Sequence, residues 1–238
     1  MKLSAPVYRL KRKAKLLSRQ EKIPLHQALD TIAAQEGYPG GWSLLAAKHS
    51  ASASSAKLFR RLEPGDLVLV GARPNHGKSL LSLELAAEAV NAGNRAAFFT
   101  LEYTAADVEE RLHILGAMRD DARSMFQIDC SDAIHAAYIE DRMAAAPRGT
   151  LIAVDYLQLL DQKRETPELS VQVRSLKEFA RHKGLIIVMI AQIDRTYDSA
   201  AKSFPSIEDV RLPNRLDLTL FNKACFLQNG EIQFHTIN

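Results

Sequence analysis

The sequence predicts an α/β protein: a mainly parallel sheet flanked by helices, ending in a C-terminal β-hairpin and preceded by a small basic all-α module. Three observations carry this. Between residues 67 and 191, short apolar runs alternate with helix-periodic stretches, as strands buried on both faces and joined by crossover helices require. The stretch Asp66-Leu-Val-Leu-Val-Gly-Ala-Arg-Pro-Asn-His-Gly-Lys-Ser-Leu80 passes from strand through a glycine-bearing turn into a helix. The first 61 residues hold twelve Lys/Arg against three Asp/Glu, a net +9 in a chain whose total is only +3, so the remainder carries −6.

The elements follow in order. Residues 6–20 read as a basic amphipathic helix: Val7, Leu10, Ala14 and Leu17 make its apolar stripe, and Arg9, Lys11, Arg12, Lys13 and Lys15 cover the other faces. Pro24 starts a second helix, with Leu25, Ala28, Leu29, Ile32 and Ala33 at helical spacing, and Gly37 with Pro39-Gly40-Gly41 ends it. Trp42–Ala47 reads as a third short helix, so residues 1–49 form one module. Its cations, Arg9, Lys11, Arg12 and Lys13 foremost, fit DNA contact or a partner surface, and equally a solvated face of a packing or oligomerisation appendage. Ser50-Ala-Ser-Ala-Ser-Ser-Ala56 has the composition of a flexible linker, so residues 50–57 mark a boundary and 58–238 a second domain. Glu63-Pro-Gly-Asp66 is a turn before the first strand. Strands are predicted near 67–71, 96–101, 126–129, 150–155 and 185–191, and helices near 79–92, 104–118, 131–145 and 168–183. Leu216–Leu227 and Ile232–His235 read as two strands joined at Asn229-Gly230, a strong hairpin turn signal.

The chemistry sits at strand ends. Ala72, Arg73, Pro74, Asn75, His76, Gly77, Lys78, Ser79 and Leu80 form the expected loop for a nucleoside triphosphate: backbone N–H groups around the phosphates, Lys78 on the β/γ oxygens, the Ser79 hydroxyl on Mg²⁺. The strict phosphate-loop motif has its first glycine where Ala72 stands; here the glycine is one place earlier, at Gly71. Thr150-Leu-Ile-Ala-Val-Asp155 is an apolar strand ending in an acid, and a carboxylate there can hold Mg²⁺ through water. Glu102 ends another strand and can orient and deprotonate an attacking water; alternatively it is a solvated glutamate at a helix start, since Thr104 and Asp107 look like a capping box. Gln192 ends a fourth strand, where it can sense the γ-phosphate or simply cap the strand.

Together and in this order, Gly71-Ala-Arg-Pro-Asn-His-Gly-Lys-Ser79, Thr100-Leu-Glu-Tyr103, Val154-Asp-Tyr-Leu-Gln-Leu-Leu160, Ser175-Leu-Lys-Glu-Phe-Ala180 and Ala191-Gln-Ile-Asp-Arg195 resemble the ATPase domain of DnaB-type replicative helicases, within the RecA-like superfamily. The resemblance covers residues 58–238 and does not reach the first 55. It implies a RecA-like fold and ATP hydrolysis with Mg²⁺, coupled to movement on single-stranded DNA in replication or repair, by a homo-oligomer that is usually a hexamer. It makes Glu102 the catalytic base, Lys78 and Ser79 the phosphate and metal ligands, Asp155 the acid that steers the metal, and Gln192 the γ-phosphate sensor. Two loops, 162–170 and 194–206, would face DNA, with Lys163, Arg164, Arg195 and Lys202 as the cations that meet phosphates. In the family a Lys-x-Arg pair near the end reaches into the neighbouring subunit's site; the corresponding triplet is Lys223-Ala224-Cys225, without the arginine. A trans-acting arginine supplies orders of magnitude in rate. That departure keeps two other readings open: a slow ATPase switch or assembly factor, and a DNA-binding accessory that uses the ATPase domain as an oligomerisation scaffold.

Composition narrows the rest. Apolar residues make up 47% and charged residues 25%, ordinary for a globular protein. No run of about 18 apolar residues exists, so no membrane span is expected. The basic amino terminus has no long apolar core after it, unlike a secretory signal. The two cysteines, Cys130 and Cys225, suit a reducing cytoplasm, and no Cys/His spacing suggests zinc.

Overall fold

The computed structural model describes residues 4, 7–39, 41–42, 45, 52–74, 76–116, 118, 120–157, 160, 167–194, 196–197, 202–212, 214, 216–228 and 231–237, with the backbone alone at 7–9, 52–54, 120 and 121. The chain divides into two compact units, Met1–Ala53 and Ser54–Asn238.

In the first unit, α1 (Val7–Glu21) and α2 (Leu25–Gln35) pack their apolar stripes together. Leu10 and Ala14 meet Ala28, Ile32 and Ala33, with Tyr38 and Leu45 completing a small core. Asp30 accepts a hydrogen bond from the Trp42 backbone N–H at 2.8 Å, and Ser18 Oγ donates to the Ile23 carbonyl at 2.8 Å, closing the two connections. Of the expected third helix only Trp42 and Leu45 are among the described residues.

The second unit is built on a seven-stranded sheet in the order β3-β2-β4-β5-β1-β6-β7. Its strands are β1 (Leu67–Ala72), β2 (Ala96–Thr100), β3 (Phe126–Asp129), β4 (Leu151–Asp155), β5 (Ile186–Gln192), β6 (Lys223–Gln228) and β7 (Glu231–Thr236). Every neighbouring pair is parallel except β6 and β7, which run antiparallel. The Asn229-Gly230 turn expected between them lies outside the described residues.

Period-two alternation splits each central strand between two cores. Leu67, Leu69, Ala97, Phe99, Ile152 and Val154 face one layer, completed by α6 (Ala136–Arg142) and α7 (Leu169–Lys183). Val68, Val70, Phe98 and Ala153 face the other, covered by α3 (Ser52–Phe59), α4 (Lys78–Asn91) and α5 (Ala105–Leu115). Full burial of each Val, Leu, Ile or Phe among them is worth about 1.5–3 kcal/mol, which is why these strands need no polar face.

Four boundaries differ from expectation. The small-residue run read as a flexible linker is helical from Ser52: Ala favours helix, Ser55 is buried, and Leu58 and Leu62 anchor the segment in the core. The helix expected over 131–145 is confined to Ala136–Arg142, because His135 caps it through Nδ1, which accepts the Tyr138 N–H at 3.3 Å. Gly116 ends α5 in the left-handed conformation, short of residue 118. The strand expected from Leu216 begins only at Lys223, since Asp217 caps a one-turn 3-10 helix at Leu218–Leu220.

Candidate nucleotide site

β1, β2, β4 and β5 are mutually parallel, so their carboxyl ends open on one edge of the sheet. The register sets Ala72 beside Gln192 and Thr100 beside Asp155. In open parallel sheets ligands bind in the crevice outside these ends. The residues singled out at strand ends therefore converge.

Ala72 is the last residue of β1 and fully buried; its carbonyl accepts the Ile193 N–H at 3.0 Å, tying the loop's root to the end of β5. Arg73 is half-buried with its guanidinium 5.8 Å from the Tyr197 ring centre, and Pro74 is exposed. Asn75 lies outside the described residues. His76 is half-buried, and burial together with the Arg73 charge lowers its pKa. Gly77 caps α4 at φ 86° and ψ 15°, a left-handed conformation that a side chain would strain. Open space surrounds its missing Cβ, so the demand is conformational rather than steric. α4 then starts at Lys78, with Leu80 half-buried in its first turn. The N–H groups of a helix's first turn lack intrahelical acceptors, and the helix dipole adds positive potential there. No acidic residue occupies the first turn to neutralise it.

Lys78 is 7% exposed and Ser79 9%. Lys78 Nζ lies 4.0 Å from Glu102 Oε2. Glu102 sits two residues past β2, its N–H donating to Thr100 Oγ1 at 3.0 Å. Two residues further on, Thr104 caps α5 in a reciprocal box with Asp107, so the turn that carries Glu102 is fixed at both ends. Asp155 is fully buried, and neither carboxylate oxygen has a hydrogen-bond partner among the described residues. Burial pushes its carboxyl up to about 6; the nearby Ser79 hydroxyl opposes this, Glu102 adds to it, and Lys78 and Arg111 pull it back. A buried carboxylate without donors is costly unless a cation completes it. Its oxygens, beside the Ser79 hydroxyl, are the hard donors Mg²⁺ takes. The site residues therefore fit both a triphosphate and its metal. Gln192 is half-buried at the end of β5, and its carbonyl accepts the Arg211 N–H at 2.8 Å.

The expected DNA-facing cations are only partly among the described residues. Lys163, Arg164 and Arg195 lie outside the described residues, as does the side chain of Arg9. Lys202 is exposed, and its ammonium is held within its own loop by Asp209 at 2.7 Å and Ser206 at 2.6 Å. Lys11, Arg12 and Lys13 are exposed on α1.

Two features escaped the sequence. Arg111, two turns along α5, stacks over Tyr103 at 4.3 Å and places its charge within reach of Asp155. Its signal was slight: an arginine four residues after Asp107 on the helix that follows Glu102. Lys223, in the triplet that the sequence resemblance sets against a subunit-bridging pair, is buried inside its own chain. Its ammonium lies 2.5 Å from Asp66 and donates to the Arg61 carbonyl at 2.6 Å. Cys225 is fully buried, and burial pushes its thiol up to about 12.

Comparison with known proteins bears on the family and the fold. The model of the DnaB-like helicase C-terminal domain family matches residues 56–120 and 114–217. The replicative DNA helicase DnaB of Helicobacter pylori (strain 26695) is 27% identical over 192 residues, 66% of this chain and 39% of the relative. A probable plasmid replicative DNA helicase of Chlamydia trachomatis is 24% identical over 180 residues, 63% of this chain and 40% of the relative. The chain thus matches about two fifths of the length of these relatives. Among solved structures, the ATPase domain of G40P superposes with a TM-score of 0.59 at 18% identity, over 76% of this chain and 75% of that one. A DnaB-like replicative helicase, solved with its interactions with primase, gives 0.58 at 18% identity, over 92% of this chain and 66% of that one. The sheet and its flanking helices are the RecA-like fold of those ATPase domains.

Proposed function

The chain belongs to the DnaB-like helicase C-terminal domain family, and from that premise we propose that it hydrolyses ATP to drive movement on single-stranded DNA, as a DnaB-type helicase. One observation carries the reading most directly: a buried carboxylate at Asp155, beside Ser79 and without a hydrogen-bond partner among the described residues, with Lys78 and Glu102 facing each other at 4.0 Å. Lys78 and the first-turn N–H groups of α4 hold the phosphates, and Ser79 and Asp155 hold Mg²⁺. The metal supplies charge neutralisation on the phosphoryl oxygens. Glu102, released from Lys78 when phosphate takes the ammonium, is free to accept a proton from the attacking water. Gln192 stands next to the loop root and passes the loss of the γ-phosphate to the segment beginning at Asp194. A ring-forming homo-oligomer in the cytoplasm is the setting this reading implies. Among the described residues no helix is long and apolar enough to cross a membrane.

The test is ATP turnover with and without single-stranded DNA, alongside unwinding of a forked duplex. Stimulated turnover with unwinding supports the reading. Lys78→Ala is expected to lose nucleotide binding, and turnover at the wild-type rate in that variant would sink the site.

A second reading has its own support. Lys223 is engaged with Asp66 and no arginine follows it, so this triplet offers the neighbouring subunit no free cation. Slow turnover that DNA does not stimulate, without unwinding, would favour a nucleotide switch or assembly factor on the same site.

A further inference from the structure

We propose that α1 carries a second nucleic-acid surface, independent of ATP: Lys11, Arg12, Lys15 and Arg19 form a cation row that binds the phosphodiester backbone of DNA without regard to sequence. Lys11, Lys15 and Arg19 follow one another at intervals of four residues, so they stand one above the next on one face. Arg12 falls within the same third of the circumference, at about 100° per residue. All four are exposed. The row is about 12 Å long at 1.5 Å per residue, the rise of three to four phosphates along one duplex strand.

The row lacks internal compensation. Like charges at i and i+4 weaken a helix, so an appendage selected only for packing gains nothing from them. Among the described residues none of the four has an ion-pair partner. The unit's acids are committed elsewhere: Asp30 holds the Trp42 N–H, and Glu36 accepts the Ser4 N–H at 2.8 Å. Glu21 is two residues from Arg19, a spacing that does not face it.

Two other anionic partners fit less well. A membrane-surface helix inserts an apolar face, but Leu10 and Ala14 are already buried against α2, which leaves Leu16 as the one large apolar side chain exposed on α1 among the described residues. A protein interface has an apolar or aromatic centre, and among the described side chains of α1 only Leu16, at the edge of the row, could supply one. The phosphate backbone asks only for positive charge at regular rise. This surface goes beyond the ATPase reading and does not rest on it.

The experiment measures anisotropy of fluorescein-labelled single-stranded and duplex oligonucleotides with the full chain, without nucleotide, between about 50 and 300 mM salt. Wild type and Lys78→Ala are expected to bind with the same steep salt dependence. The variant Lys11→Gln/Arg12→Gln/Lys15→Gln/Arg19→Gln is expected to lose about 3 from the slope of log K against log salt. Swapping Lys for Arg and Arg for Lys at the same positions should keep the slope. If the fourfold variant misfolds by circular dichroism, Lys11→Gln/Lys15→Gln and Arg12→Gln/Arg19→Gln should each lose about half of it. An unchanged slope in folded variants overturns the proposal, and so does co-sedimentation with phosphatidylserine vesicles in place of DNA binding. Failure of the ATPase reading shows separately, as absent turnover in the wild type. DNA-free turnover should be the same in the fourfold variant as in the wild type.

Discussion

Gly71 shows how one residue carries a constraint that the motif alone misplaces. A Cβ there would lie 2.8 Å from two ring atoms of Phe226 and 3.2 Å from Ile193, so the glycine makes room for β6 rather than for phosphate. Ala72, whose side chain packs in the opposite core, tolerates its methyl. Gly71→Ala is therefore expected to lose about 1–3 kcal/mol in urea unfolding, with Phe226→Leu added to it recovering part of the loss. No loss in the single variant would show that β6 yields freely. At the edge proposed to hold the nucleotide, Glu102→Gln keeps the side chain's shape and removes its basicity. ATP binding should persist while turnover falls about 10²- to 10⁴-fold, read by single-turnover hydrolysis. Normal turnover would make Glu102 a structural partner of Lys78. The Lys223–Asp66 pair is a separate case: removing one partner of a buried pair typically costs about 3–5 kcal/mol. Lys223→Met should destabilise strongly, with Asp66→Leu in the same chain restoring much of the stability. If Lys223 served a neighbouring subunit instead, Lys223→Met would lower turnover and spare stability.

At the scale of elements, α5 links fold to site. Its cap, Thr104, fixes the turn that ends in Glu102, and Arg111 on its second turn reaches the charge field of Asp155. Thr104→Ala is expected to cost about 1 kcal/mol of stability, and a larger fall in kcat than in KM would show that the cap also positions Glu102. The same element shows what a sequence can carry. That Lys78, Ser79, Glu102, Asp155 and Gln192 meet at one edge was legible because the ends of parallel strands open on one side, and a strand buried on both faces announces its end where apolar residues stop. Thr104 and Asp107 were legible because capping is local. Arg111 over Tyr103 and Lys223 against Asp66 were not, because each contact is tertiary and its residue types are common on any surface. The helix over Ser52–Phe59 was hidden for a related reason: its serines and alanines resemble a linker until Leu58 and Leu62 find a core.

For the whole molecule, the buried acids set how stability responds to pH and nucleotide. Burial pushes the Glu84 carboxyl of α4 from 4.5 up to about 8; Glu88 adds to this, and the Ser55 hydroxyl opposes it. The folded state therefore holds a proton that the unfolded chain releases above about 4.5, and stability falls as pH rises from there to about 8. Asp155, raised to about 6, has the same sign over a narrower window. Glu84→Gln is neutral throughout and can keep a hydrogen bond to Ser55. It should match the wild type near pH 5 and exceed it by a few kcal/mol near pH 8, read as the urea midpoint at each pH. On the proposed reading Mg·ATP acts on the other acid, Asp155. A ligand that binds only the folded state adds about 2.7 kcal/mol at a hundredfold excess over its Kd. That increment should appear in the wild type and in Glu84→Gln alike, and vanish in Lys78→Ala. A Glu84→Gln profile with the wild-type slope would mean that Glu84 finds a counter-charge or water in solution. A nucleotide increment that survives Lys78→Ala would place the triphosphate somewhere other than the end of β1.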